Sequence, residues 1–275
     1  MNPNNQIRRF LILAIAALFL YSCSKHHSLE ITPIQYGNVI LTFSHEVDGE
    51  PLKFDTMLYT TSLGNRYQVS ELQYFISGVS FHNVNMKWQD LTSDDGIHYT
   101  DARDNYSCSW WVNDQIPAGV YDTVTFIFGM DEKQNVSGRF PDPPERDMFW
   151  PDILGGGYHY MKLNLKWKND SMVQPLPFMF HLGIGQIYAS NTINPDSIIG
   201  FVQNYFRVKF PCKLTIAAGG YHQVILQMNL AKWFDGQDAF DFSDYPNGIM
   251  QNEEGMFKAC LNGRNVFKII IPNIE

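Results

Sequence analysis

Alternation with a period of two limits what this chain can fold into more than any other feature of its sequence. Val39, Leu41, Phe43 and His45 share one parity, Ile40, Thr42 and Ser44 take the other, and Asp48-Gly49 closes the run with a turn pair. Successive side chains of a strand point to opposite faces, so this pattern marks a half-buried strand. Similar runs occupy residues 75–81, 120–128 (after the Pro117-Ala118-Gly119 turn), 158–167, 178–183, 205–210, 221–228 and 266–271. Helical signals are confined to two places: residues 248–261, stopped at Gly263 with Met250, Phe257 and Cys260 inward, and one turn at 230–234. Strands of this length separated by turn clusters predict an all-β fold, an antiparallel β-sandwich with long loops and one or two short helices, rather than βαβ units.

The chain has 275 residues, 45% of them apolar and only 17% charged, with 20 Phe, 14 Tyr and 6 Trp. Such a chain can bury a sizeable core, which excludes disorder, coiled coil and collagen. Its formal charge of -8 argues against nucleic-acid contact, because phosphate binding needs a basic surface.

Residues 1–22 read as a lipoprotein signal peptide. Arg8 and Arg9 precede a short apolar run from Phe10 to Tyr21, too short to span a bilayer core of about 30 Å. The run ends at Leu20-Tyr21-Ser22-Cys23, which resembles a lipoprotein box, with Cys23 as the lipidated residue. Residues 23–36 then form the lipidated cysteine and a linker, and 37–275 the β-sandwich domain. The expected location is the outer membrane, lipid-anchored and facing the periplasm or the cell surface. Cys108, Cys212 and Cys260 remain, an odd number at long spacing, so at most one disulfide forms among them and no cysteine zinc site is expected.

Motifs of the familiar enzyme classes are missing: no GxSxG elbow, HExxH pair, Walker loop or dinucleotide glycine fingerprint occurs. Asp94-Asp95-Gly96 and the acidic stretch 235–244 lack EF-hand spacing. Two connections are long enough to carry function: residues 134–157, rich in Pro and ending in Gly155-Gly156-Gly157, and the polar, Asn-rich residues 183–201. Histidines lie beside them. His45 and His159 share parity with large apolar neighbours, His181 sits at a strand end, His222 reads as a packed core residue and His98 as a loop residue. A buried imidazole needs a partner for each ring nitrogen, and a metal is one such partner.

The run from Gly37 through Phe43-Ser44-His45-Glu46 to Pro51-Leu52 resembles the opening of the MbnP-like family, extracytoplasmic proteins of the methanobactin-associated copper-binding type. Further blocks repeat the resemblance in order: Leu72-Gln73-Tyr74-Phe75-Ile76-Ser77, Ile116-Pro117-Ala118-Gly119-Val120-Tyr121, Phe128-Gly129-Met130-Asp131, Asn135-Val136-Ser137-Gly138, Asp147-Met148-Phe149-Trp150, Gly157-Tyr158-His159 and Phe178-Met179-Phe180-His181-Leu182-Gly183. The C-terminal third resembles only the Bacteroidetes lipoprotein branch. The resemblance implies a β-sandwich with a mononuclear copper site built from two His and a kynurenine, made from a Trp by a dihaem partner of the cytochrome c peroxidase type. Two departures stand out. The family's Trp-x-Trp appears as Trp150-Pro151-Asp152, and an Asn-His becomes Asn135-Val136, which removes one histidine ligand candidate.

The ligands expected on this reading are His45, His181 and His159, in that order, since His45 and His181 both end strands before turns and can meet at one rim of a sandwich. Asp131 or an oxidised Trp150 would complete the set. The protein is then a copper-handling module and not an enzyme, tethered to a membrane by lipid alone. The alternative is a surface sandwich that binds a glycan or a protein partner, with Trp110-Trp111 as stacking faces, of which adjacent strand positions leave one in the core.

Overall fold

A strand that alternates apolar and polar residues buries one face only, so it needs a second layer against that face. The computed structural model, which describes residues 33–85, 88–190, 193–246 and 248–272, supplies two such layers. The signal segment and Cys23 lie outside the described residues. In chain order the strands are β1 (Tyr36–Val47), β2 (Glu50–Pro51), β3 (Tyr59–Thr60), β4 (Arg66–Asn83), β5 (Trp88–Asp90), β6 (Ile97–Asp101), β7 (Ser109–Trp111), β8 (Ile116–Pro117), β9 (Gly119–Phe128), β10 (Met161–Lys168), β11 (Leu176–Leu182), β12 (Gly185–Tyr188), β13 (Ile198–Val202), β14 (Phe206–Ile216), β15 (Tyr221–Asn229) and β16 (Phe267–Ile270). One sheet runs β16-β15-β1-β2, with β7 and β8 also on β1, and the larger runs β11-β10-β4-β9-β14, with β3, β5 and β6 also on β4. Only two short α-helices occur among the described residues, α1 (Ala231–Phe234) and α2 (Glu253–Gly263). The all-β sandwich expected from the alternation is therefore the observed fold.

Aromatic residues fill the space between the sheets. Phe128 on β9 is fully buried and stacks on Tyr74 and Phe206, with ring centroids 5.6 and 5.3 Å away, while Trp233 of α1 and Phe267 of β16 close on it at 5.3 and 5.6 Å. Each such pair adds about 0.5–1.5 kcal/mol beyond the area it buries. This cluster ties three strands of the large sheet to the helix and to the edge of the smaller sheet.

Four features depart from the sequence expectation. β1 pairs with β15 in parallel, Phe43 opposite Leu226, although an antiparallel sandwich was expected throughout. Residues 183–201 are not a plain loop, because β12 and β13 form a two-stranded hairpin there. α2 starts at Glu253 instead of 248, since Asn252 caps it by accepting a hydrogen bond from the Gly255 backbone N–H at 2.8 Å. That register buries Met256, Ala259 and Cys260 and turns Phe257 out to solvent. His98 belongs to β6, not to a loop, and its ring is stacked between Phe43 and Trp110. Cys108, Cys212 and Cys260 are all free thiols.

Phe128→Ala should cost about 3–5 kcal/mol of unfolding free energy, because it empties the centre of this cluster. Urea denaturation monitored by tryptophan fluorescence measures that loss, and a value under 1 kcal/mol would show that the cluster does not hold the sheets together.

Candidate metal centre

The site is built on the outer face of the large sheet. Along β11, Phe178, Phe180 and Leu182 point into the sandwich, so His181 points the other way. An outward strand residue is normally wet, yet His181 is only 7% exposed. The reason is the long Pro-rich connection, which folds back across this face. Two 3₁₀ turns, Glu145–Met148 and Asp152–Leu154, shape it, and an isolated bridge between Phe149 and Tyr158 closes it on itself.

His159 and Trp150 come from that connection. His159 precedes the first residue of β10, so it is not on the strand face that its spacing from Met161 suggested. Its backbone N–H donates to the Met148 carbonyl at 2.6 Å, and its ring lies against His181, centroids 5.1 Å apart at 82°. Trp150 is fully buried and meets the His159 ring at 4.7 Å and 72°. The indole also packs against Gly183, where a Cβ would come within 2.5 Å of the ring. Trp150 Nε1 donates to the Leu154 carbonyl at 3.0 Å. Three residues far apart in sequence, Trp150, His159 and His181, thus form one buried column of rings.

The hydrogen bonds around the two imidazoles fix which ring nitrogen of each carries the proton. His159 Nδ1 is 2.9 Å from the Met148 carbonyl, an acceptor only, so Nδ1 carries the proton and Nε2 the lone pair. His181 Nε2 is 2.9 Å from the Asn164 side-chain oxygen, whose amide nitrogen in turn donates to Glu71, which directs the proton to Nε2. Its Nδ1 is then a buried acceptor without a partner. Burial holds both rings neutral: desolvation lowers the His159 pKa to about 4 and that of His181 to about 3, helped for His181 by His159 and for both by Lys162. The Lys162 ammonium is anchored on the Asp147 carbonyl.

His45, ranked first from the sequence, is not brought to this pair. It faces the space between the sheets, where Nε2 is 2.9 Å from the Tyr74 hydroxyl, whereas His181 stands on the opposite face of the sheet that carries Tyr74. A strand end before a turn says nothing about which side of which sheet a residue takes, and that is why the ranking misplaced it. Asp131 does not approach the pair either: its carboxylate accepts from the backbone N–H groups of Lys133 and Gln134 at 3.0 Å each, which is a turn-forming role. Among the described residues no three His, Cys, Asp or Glu side chains gather as a metal-holding group. Trp110 is core, its Nε1 donating to Asp94, while Trp111 is 60% exposed beside Tyr221. Sequence reasoning missed Asn164 and Gln186, neutral residues whose interior hydrogen bonds leave no periodic trace.

A sequence profile of the MbnP family matches residues 36–251. Among solved structures, MbnP from Methylosinus trichosporium superposes with a TM-score of 0.54, covering 87% of this chain and 100% of that chain at 15% identity. No curated protein matches the chain.

His45 gives this fold a measurable acid sensitivity. Burial lowers its pKa to about 4 from an ordinary 6.5, so between those two values the unfolded chain binds a proton that the folded chain does not. Its stabilising contribution is complete above pH 6.5 and is lost as pH falls towards 4. His45→Gln should therefore flatten the fall in unfolding free energy by up to about 2 kcal/mol between pH 6.5 and pH 5, read from urea melts across that range. An identical pH slope in the variant would show that His45 is already protonated in the folded protein.

Proposed function

The chain belongs to the MbnP family, and on that premise we propose that it is an extracytoplasmic copper-binding lipoprotein whose metal is held by His159 and His181, with Trp150 as the side chain that oxidation turns into a further ligand. The observation that carries this reading is the pair of adjacent imidazoles at a centroid separation of 5.1 Å, of which His181 keeps a buried, unpartnered Nδ1 while His159 is hydrogen-bonded through Nδ1. One ion bonded at about 2 Å to each ring is compatible with that separation, and imidazole is a good Cu(II) ligand. The partners already in place are those a metal-bound histidine needs: the Met148 carbonyl for one ring and the Asn164 amide for the other.

Trp150 cannot ligate as it stands, because its indole nitrogen lone pair belongs to the ring and its proton is spent on Leu154. Opening the five-membered ring to kynurenine would create a ketone oxygen and an amine at this position. Trp150 is fully buried, and a docked dihaem protein of the cytochrome c peroxidase type that consumes peroxide is the oxidant this reading assigns to it. On this reading the protein acts as a copper-handling module. Cys23 attaches it by lipid to the outer membrane, facing the periplasm or the cell surface; no described helix is long and apolar enough to cross a membrane.

Copper titration separates the candidate ligands. His159→Ala and His181→Ala should each reduce copper affinity by at least about a hundredfold, the loss of one of two strong donors, while His45→Gln should retain wild-type stoichiometry. Retained affinity in either of the first two variants would overturn the site. Cys23→Ala, fractionated from the native host, should leave the membrane fraction; if it sediments with membranes as the wild type does, the anchor is wrong.

A further inference from the structure

Gln186 is 1% exposed on β12 and holds the same carbonyl that holds Trp150. Its Nε2 donates to Leu154 O at 2.8 Å and to Ile184 O at 2.5 Å, and Leu154 O also accepts from Trp150 Nε1 at 3.0 Å. Two carbonyls fix the orientation of this amide, since the flipped form would face oxygen with oxygen. The side-chain oxygen Oε1 is therefore the acceptor end, and it is buried with no hydrogen-bond partner. A buried acceptor left unpaired is a cost that native structures seldom carry without a use for it.

Oxidation of Trp150 would supply a second donor on the nitrogen that shares the Leu154 carbonyl with Gln186. The indole has one N–H. Ring opening breaks the C2–C3 bond: C3 becomes a ketone and C2 a formyl group on the nitrogen. Two peroxide molecules each deliver one oxygen atom and accept two electrons, leaving two waters. Hydrolysis of the formyl group by one water then releases formate and leaves a primary arylamine with two N–H groups on the nitrogen that already sits on Leu154 O. Resting on the copper-site reading above, we propose that Gln186 is a positioning residue whose Oε1 accepts the hydrogen bond of the second of these N–H groups while the Leu154 carbonyl keeps that of the first. Leu154 and Gln186 would together hold the new amine, and with it the ring that carries the new ketone.

Gln186→Met, close in length and volume, removes both ends of the amide. Wild type and variant, each produced with and without the peroxide-consuming dihaem partner, are compared by copper titration and by the near-ultraviolet absorption band of the arylamino ketone. The oxidised variant should bind copper about tenfold more weakly than oxidised wild type, the value of one buried hydrogen bond, with a shifted band, and the two unoxidised forms should differ by much less. A merely structural role would weaken both forms alike. Equal affinity and equal band positions after oxidation would overturn the proposal, and a Trp150 that peptide mass spectrometry finds unmodified in wild type would overturn the oxidised-ligand reading together with it. Should the variant not fold, wild type labelled with ¹⁵N at the indole nitrogen decides: after oxidation both amine protons should exchange slowly with solvent, and one fast-exchanging proton would overturn the assignment.

Discussion

Backbone polar groups taken out of water must find partners, and the candidate site exists because one long connection meets that demand without being a strand or a helix. Residues 134–157 cross the outer face of the large sheet and are stitched to it and to themselves. Trp150 N donates to Gly157 O at 2.9 Å, Tyr158 N to the Asn135 side-chain oxygen at 2.8 Å, Gly157 N to the Ser137 hydroxyl at 2.8 Å and Phe140 N to the Tyr158 hydroxyl at 2.8 Å. Tyr160 N, on the way into β10, donates to Leu182 O at 2.8 Å and fastens the end of the connection to β11. With its own polar groups satisfied, the connection can exclude water from His181 and bring Trp150 and His159 to it.

Water exclusion then dictates the chemistry. Two charged imidazoles could not share this space, so both rings are neutral, and a neutral imidazole whose far nitrogen is already hydrogen-bonded presents a single directed lone pair. Lys162 acts in the same direction, because an ammonium near the pair raises the cost of protonating either ring. Carboxylates take no part: Glu71 is one step removed, behind Asn164. A donor set of this kind favours a borderline metal over calcium or magnesium, which ask for oxygen.

Much of this was legible in the sequence, and the limits are physical. Period-two alternation located the strands because side-chain direction follows strand parity, and β1, β9, β11 and β15 lie close to where it placed them. His159, His181 and Trp150 were all singled out. What parity cannot report is burial imposed by something other than the facing sheet. His181 reads as an outward residue until residues 134–157 cover it, and His45 reads as a ligand because the Tyr74 hydroxyl that occupies it lies on another strand. The parallel pairing of β1 with β15 was equally hidden, since alternation looks the same whichever way a neighbour runs.

That parallel pairing bears on how the protein comes to be folded. β1 is among the first strands to leave the ribosome, and its partner β15 is among the last, so the smaller sheet cannot be completed until almost the whole chain is available. Pairings between such distant segments carry a high loop-closure cost and slow the search for the native state. In the interval a twelve-residue alternating strand presents one apolar face and an unpaired edge, the features that invite association with other chains. The yield of folded protein should thus depend on a holding chaperone, and β1 is at greatest risk while the late strands are still being made.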